Sequence, residues 1–99
     1  MITTHVLDLA RGRPAGRVPV LLEAFQQRRW RRIAKGRTDA NGRLRFDVAV
    51  SRGRYRLTFR TRSALFPEIA IAFQARRPGG HYHIPLLLSP FGYSTYRGS

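Results

Sequence analysis

The chain predicts an all-β fold, a sandwich of two antiparallel sheets, with residues 1–99 forming one domain. Three observations carry this expectation. Apolar residues recur with a period of two rather than 3.6, as they do where side chains alternate across a strand. Roughly seven or eight such stretches are separated by turn residues. No stretch of helical length holds a helical period, and one turn near residues 62–65 is the most that the pattern allows.

The elements follow in order. The opening ITTHVLDLA is a strand with an unusually polar start, TTH. In VPVLLEAFQ, Val18, Val20 and Leu22 alternate with apolar neighbours, which predicts a strand buried on both faces. Trp30 to Thr38 continues as a second extended segment. Asn41-Gly42 in DANGRL is a tight-turn signal, because both residues tolerate positive φ. Leu44, Phe46 and Val48 then alternate, and Ser51-Arg52-Gly53 turns the chain into RYRLTFRTR. There Arg54, Arg56, Arg60 and Arg62 share one face, with Tyr55, Leu57, Phe59 and Thr61 on the other. Ile69, Ile71 and Phe73 share a face of FPEIAIAFQA. Breaks at Arg77-Pro78-Gly79-Gly80 and Ser89-Pro90 delimit HYHIPLLLS and the closing FGYSTYRGS. Aromatics at Phe91, Tyr93 and Tyr96 predict that this end docks rather than frays.

Charge narrows the partners. Nineteen Lys plus Arg stand against five Asp plus Glu, a formal net charge of +14, and Lys35 is the only lysine. Such a surface attracts anions. The arginine stripe is the solvated face of a half-buried strand, and without a recognition helix or an RNA-binding aromatic motif no specific nucleic-acid binding is expected. Cysteine is absent, which removes disulfides and thiolate chemistry. No apolar run approaches the roughly 20 residues of a membrane helix, and the start lacks the pattern of a secretory leader, so a soluble cytoplasmic protein without membrane contact is expected.

Few residues can carry chemistry. Asp8, Glu23, Asp39, Asp47 and Glu68 show no spacing that pairs two carboxylates, and neither a phosphate loop nor a nucleophile elbow is present. The histidines are His5, His81 and His83. His81 and His83, two apart, project from one face of a strand, and with His5 they could form a three-histidine zinc site, although a His-x-His pair alone does not specify one. Placed near Arg43, a histidine could take a proton from water while the guanidinium holds a developing oxyanion. That arrangement suits water attack on a cyclic amide or imide; composition permits the reaction without identifying it.

Three separated segments, ITTHVLDLARGRPA, NGR and HYHIPLLLSPFGYSTYRGS, resemble the transthyretin-related 5-hydroxyisourate hydrolases over nearly the whole chain. The closing Tyr96-Arg97-Gly98-Ser99 is the mark that separates these hydrolases from transthyretin, the hormone carrier of the same fold. The resemblance implies a prealbumin-like (transthyretin-like) sandwich assembled as a homotetramer, a dimer of dimers with sites at the dimer–dimer interface. It implies hydrolysis of 5-hydroxyisourate to 2-oxo-4-hydroxy-4-carboxy-5-ureidoimidazoline in urate degradation, without metal or cofactor. Carried over by position, His5, Arg43 and His83 are catalytic, and Tyr96, Arg97 and Ser99 line the substrate site. Either His5 or His83 would activate water, Arg43 would orient the substrate and steady the oxyanion, and His81 would play a supporting or surface role. One departure is visible: relatives carry a longer segment with a short helix after the strand ending near Arg62, where only Ser63, Ala64 and Leu65 precede FPE here. The alternative on the same scaffold is a non-catalytic carrier of a small anion.

Overall fold

Alternating burial builds the molecule. In the computed structural model, which describes residues 1–99, ten strands and no helix are present. They are β1 (Ile2–Asp8), β2 (Arg13–Pro14), β3 (Pro19–Gln26), β4 (Arg29–Arg37) and β5 (Arg43–Phe46), then β6 (Gly53–Arg60), β7 (Glu68–Ala75), β8 (Tyr82–His83), β9 (Leu86–Ser89) and β10 (Gly92–Thr95). One sheet has the order β4-β3-β6-β7 and is antiparallel throughout. The other runs β10-β9-β1-β2, with β5 and β8 also paired to β1. In this sheet β1 runs antiparallel to β2 and β5 but parallel to β8 and β9.

The core lies between the sheets. Ile2 and Val6 of β1 and Leu86 and Leu88 of β9 face Leu22 of β3, Leu57 and Phe59 of β6 and Ile69 of β7, all within one buried cluster. Each such side chain contributes on the order of 1.5–3 kcal/mol through burial. At one margin Thr38 is buried: its Oγ1 accepts from the Val18 amide at 2.9 Å and donates to the Ala15 carbonyl at 2.8 Å.

One sequence expectation needs correction. β3 is not buried on both faces: Val20, Leu22 and Ala24 are buried, whereas Pro19, Leu21 and Glu23 are only half-covered. Part of the cover comes from the arginine stripe, whose Arg54, Arg60 and Arg62 are exposed as expected while Arg56 is half-buried. Arg56 pairs with Glu23 at 2.8 Å and stacks 4.3 Å over Trp30, while Arg54 stacks 4.1 Å over Phe25. The β3–β4 turn also escaped the sequence, because Gln27 and Arg28 adopt positive φ (52° and 66°) without the usual Asn or Gly.

The shortened link after β6 contains no helix and closes on itself. Thr61 Oγ1 donates to the Phe66 carbonyl at 2.6 Å and accepts from the Ser63 amide at 3.1 Å, and the Phe66 amide donates to Ser63 Oγ at 3.0 Å. Phe66 then meets Tyr93 of β10 edge-on, with ring centroids 5.2 Å apart. The C-terminal end docks as expected, but mainly through its backbone: β10 pairs with β9 and the Gly98 amide donates to the His83 carbonyl at 2.8 Å, while Phe91 and Tyr96 stay exposed.

Candidate active site

β1 is divided by its own alternation. Ile2, Thr4 and Val6 point into the core, and Thr3, His5 and Leu7 lie half-buried on the outer face. Thr4, on the core side, is satisfied by donating to the Ile84 carbonyl at 2.6 Å. Register then brings the functional side chains together. β5 places Arg43 opposite His5 and Arg45 opposite Thr3, and β8 places His83 beside Thr3. Directly paired residues share a face, so Thr3, His5, Arg43, Arg45 and His83 form one polar row outside the sandwich.

Arg43 is presented by the turn that Asn41-Gly42 announced. The Asp39 carboxylate accepts from the Asn41 amide at 2.8 Å and the Arg43 amide at 3.0 Å, and the Asp39 amide donates to the Arg43 carbonyl at 2.8 Å. Gly42 has φ +76°, and a Cβ there would stand 2.5 Å from the Val6 carbonyl oxygen, so the turn packs directly on β1. From it the Asn41 carbonyl accepts His5 Nε2–H at 2.9 Å. A carbonyl only accepts, so this contact fixes the proton on Nε2 and leaves Nδ1 as the basic nitrogen of neutral His5. One turn therefore supplies the arginine and orients the histidine.

His83 is held from two sides. Its Nδ1 lies 2.8 Å from Thr3 Oγ1, and the same hydroxyl lies 2.6 Å from His81 Nε2. Gly98 packs against the opposite edge of the ring, where any Cβ would collide with Cδ2. Burial holds the His83 pKa below the ordinary histidine value, and the charges of His81, Arg43 and His5 push it further in that direction. His83 is thus a neutral imidazole near pH 7 whose Nε2 makes no hydrogen bond within the chain.

The tail is placed less uniformly than the resemblance implied. Tyr96 and Ser99 are exposed. Arg97 does not join the row: its guanidinium stacks 4.5 Å over Tyr82 and reaches the His81 carbonyl at 3.5 Å, and Tyr82 is buried on the core side of β8. The backbone alternates at the His83–Gly98 bridge, so the residue before Gly98 points to the face opposite His83. Thr3, Asp39 and Gly98 are the contributors that the sequence did not single out. The polar TTH opening, the DANGR turn and the closing YRGS each contained one of them without giving it a role.

The three imidazoles do not converge as a ligand set for a metal ion. His5 is committed to Asn41, and His81 and His83 share a hydroxyl with ring centroids 6.2 Å apart. The row also lies outside the two main grooves of the surface. Neither the groove of about 590 Å³ beside Arg11, Arg13 and Arg62 nor that of about 620 Å³ beside Arg76, Arg77 and Arg97 includes His5, Arg43 or His83.

Together these features define a transthyretin-like sandwich with a histidine–arginine row on one open sheet face. Residues 2–98 match the HIUase/Transthyretin family, and the chain belongs to that family. It is 39% identical to a 5-hydroxyisourate hydrolase of Salmonella typhimurium over 110 aligned positions, covering 100% of this chain and 81% of that protein. Among solved structures, a 5-hydroxyisourate hydrolase of Klebsiella pneumoniae superposes with a TM-score of 0.83 at 35% identity, covering 99% of this chain and 98% of the other. Sea bream transthyretin in complex with thyroxine superposes with a TM-score of 0.89 at 30% identity, covering 98% and 93%. The backbone thus resembles hydrolase and carrier alike, and the side chains of the row must separate them.

Proposed function

We propose that this chain hydrolyses 5-hydroxyisourate in urate degradation, as the names of its hydrolase relatives describe for them. The observation that carries the reading is the row itself. A neutral His83 with an uncommitted Nε2 shares a sheet face with the Arg43 guanidinium and with His5, whose orientation is fixed.

In this mechanism His83 Nε2 takes a proton from water as the oxygen adds to a ring carbonyl. Arg43 holds the oxyanion through its fork of N–H donors. The amide C–N bond then breaks as His83 Nε2–H returns its proton to the ring nitrogen, and the new carboxylic acid loses its own proton to solvent, leaving a carboxylate and a ureido group. His5, bound to Asn41 through Nε2–H, has Nδ1 left to accept a hydrogen bond from the substrate and orients it. Tyr96 and the Ser99 end border the substrate, while Arg97 anchors the tail through Tyr82.

We further propose that the working form is a homotetramer, a dimer of dimers with the row at the interface between dimers. Two features support this: β7 and β10 are sheet edges without a further partner strand, and Phe91 and Tyr96 are exposed by 87% and 57%. A second copy over the row would exclude water from a face that one chain leaves open. Sedimentation velocity tests the assembly, and ultraviolet decay of freshly made 5-hydroxyisourate tests the reaction. A carrier on this scaffold would bind a small anion without accelerating that decay.

A further inference from the structure

We infer that Thr3 is a positioning residue for the hydrolysis, its hydroxyl fixing the tautomer of His83 and relaying a proton from His83 to His81. This rests on the hydrolase reading above. The geometry is a three-centre chain: His83 Nδ1 to Thr3 Oγ1 at 2.8 Å, and Thr3 Oγ1 to His81 Nε2 at 2.6 Å.

A hydroxyl has one hydrogen to give. With an imidazole nitrogen on each side, it donates to one and accepts an N–H from the other. When both rings are neutral, one of the two facing nitrogens carries a proton and the other does not. If His83 is the donor, its Nε2 keeps a lone pair, which is the form needed to take a proton from water. The opposite arrangement places the proton on His83 Nε2 and removes the base. Backbone bonds hold the Thr3 oxygen between the two rings: the Ile84 amide donates to the Thr3 carbonyl at 2.9 Å, and the Tyr82 amide donates to the Met1 carbonyl at 3.0 Å. Of the two arrangements this allows, the first is the one we assign.

The same chain gives the proton a way out. Once His83 Nε2 has taken a proton, the Nδ1–H bond breaks and an O–H bond forms at Thr3. The original Thr3 O–H breaks and an N–H forms at His81 Nε2. Thr3 is unchanged, His83 is left neutral with its proton on Nε2, and the positive charge rests on His81; when Nε2–H is given to the leaving nitrogen the chain runs back through Thr3 and restores the proton on Nδ1. His81 is exposed, so water solvates the charge while it rests there, whereas His83 is half-buried. The surroundings favour this direction. The Arg43 charge works against a proton kept on His83, and although Arg97 and the Met1 amine lie near His81, at the His81 and Gly80 carbonyls, its exposure to water offsets them. Burial is the largest influence that keeps His83 from retaining a proton.

The test uses the full chain with Thr3→Val, Thr3→Ser and His81→Gln. Thr3→Val keeps the branched shape and removes the hydroxyl. It should lower kcat about tenfold or more with KM little changed, and Thr3→Ser should restore most of it. His81→Gln should lose kcat that added imidazole buffer recovers. Nitrogen-15 NMR of the ligand-free protein gives a readout apart from activity: His83 should carry its proton on Nδ1 in the wild type and lose that preference in Thr3→Val. Wild-type kcat together with an unchanged His83 tautomer in Thr3→Val would overturn the relay. An inactive wild type would instead strike at the hydrolase reading, and the NMR comparison would still decide the hydrogen-bond arrangement.

Discussion

His5 and Arg43 stand directly opposite each other across the β1–β5 ladder, and one turn, residues 39–43, sets the position of both. Replacing the guanidinium should therefore remove oxyanion stabilisation without loosening the fold. Arg43→Ala is expected to lower kcat/KM by about 10²–10³-fold, the scale of losing one well-placed oxyanion donor. Arg43→Lys should recover only part, since an ammonium lacks the planar fork. Steady-state kinetics beside thermal melting checks both statements; the melting temperature should stay near wild type because Arg43 is exposed.

Gly98 gives a second, steric prediction. A Cβ there would press on His83 Cδ2, so Gly98→Ala must shift either the tail or the imidazole. A displacement of the base by about 1 Å costs up to about 10²-fold in rate. Turnover should drop while circular dichroism and melting remain close to wild type. Equal losses of turnover and melting temperature would mean that the tail supports the fold rather than the site.

The pH dependence follows from His83. Burial, then the charges of His81, Arg43 and His5, hold its pKa below the usual value of about 6.5. A base that works when neutral stays active until pH falls through that lowered pKa, so the acid limb of kcat/KM should lie below 6.5. Stability follows the same sign. Between the folded pKa and about 6.5 the unfolded chain binds the proton that folded His83 refuses, so stability is complete above that range and declines as pH falls through it. His83→Asn should flatten this His83 contribution in chemical denaturation measured across the window. His81→Gln, by removing one repelling charge, should move the acid limb upward.

Thr38 makes a prediction about the fold alone. Its hydroxyl bridges the Val18 amide and the Ala15 carbonyl while fully covered. Thr38→Val leaves those groups short of a partner and should destabilise by about 1–3 kcal/mol, read from urea denaturation. Turnover well below the melting temperature should be unchanged.

The period-two pattern made the sandwich legible because each strand pays out its side chains to two faces, and the buried set Leu57, Phe59, Ile69 and Ile71 falls where alternation placed it. The β3–β4 turn was hidden because Gln27 and Arg28 adopt left-handed backbone without a residue that advertises it. The arginine stripe was legible as a face, yet its stacking on Phe25 and Trp30 depends on cross-strand register, which no local pattern encodes. The same holds for the site. His5, Arg43 and His83 could be named from three distant motifs, but the Thr3 bridge exists only because β8 lies parallel to β1 in one register. Arg97 shows the converse: a residue inside a recognised motif whose side chain turns to Tyr82 instead.

The most direct test follows the ultraviolet decay of 5-hydroxyisourate freshly generated from urate by uricase, with wild type, His83→Asn and no protein. Decay well above the spontaneous rate with wild type, reduced by about 10²–10⁴-fold in the catalysed part by His83→Asn, is the predicted result. Decay at the spontaneous rate in the presence of folded, assembled wild-type protein, or full acceleration by His83→Asn, would contradict it.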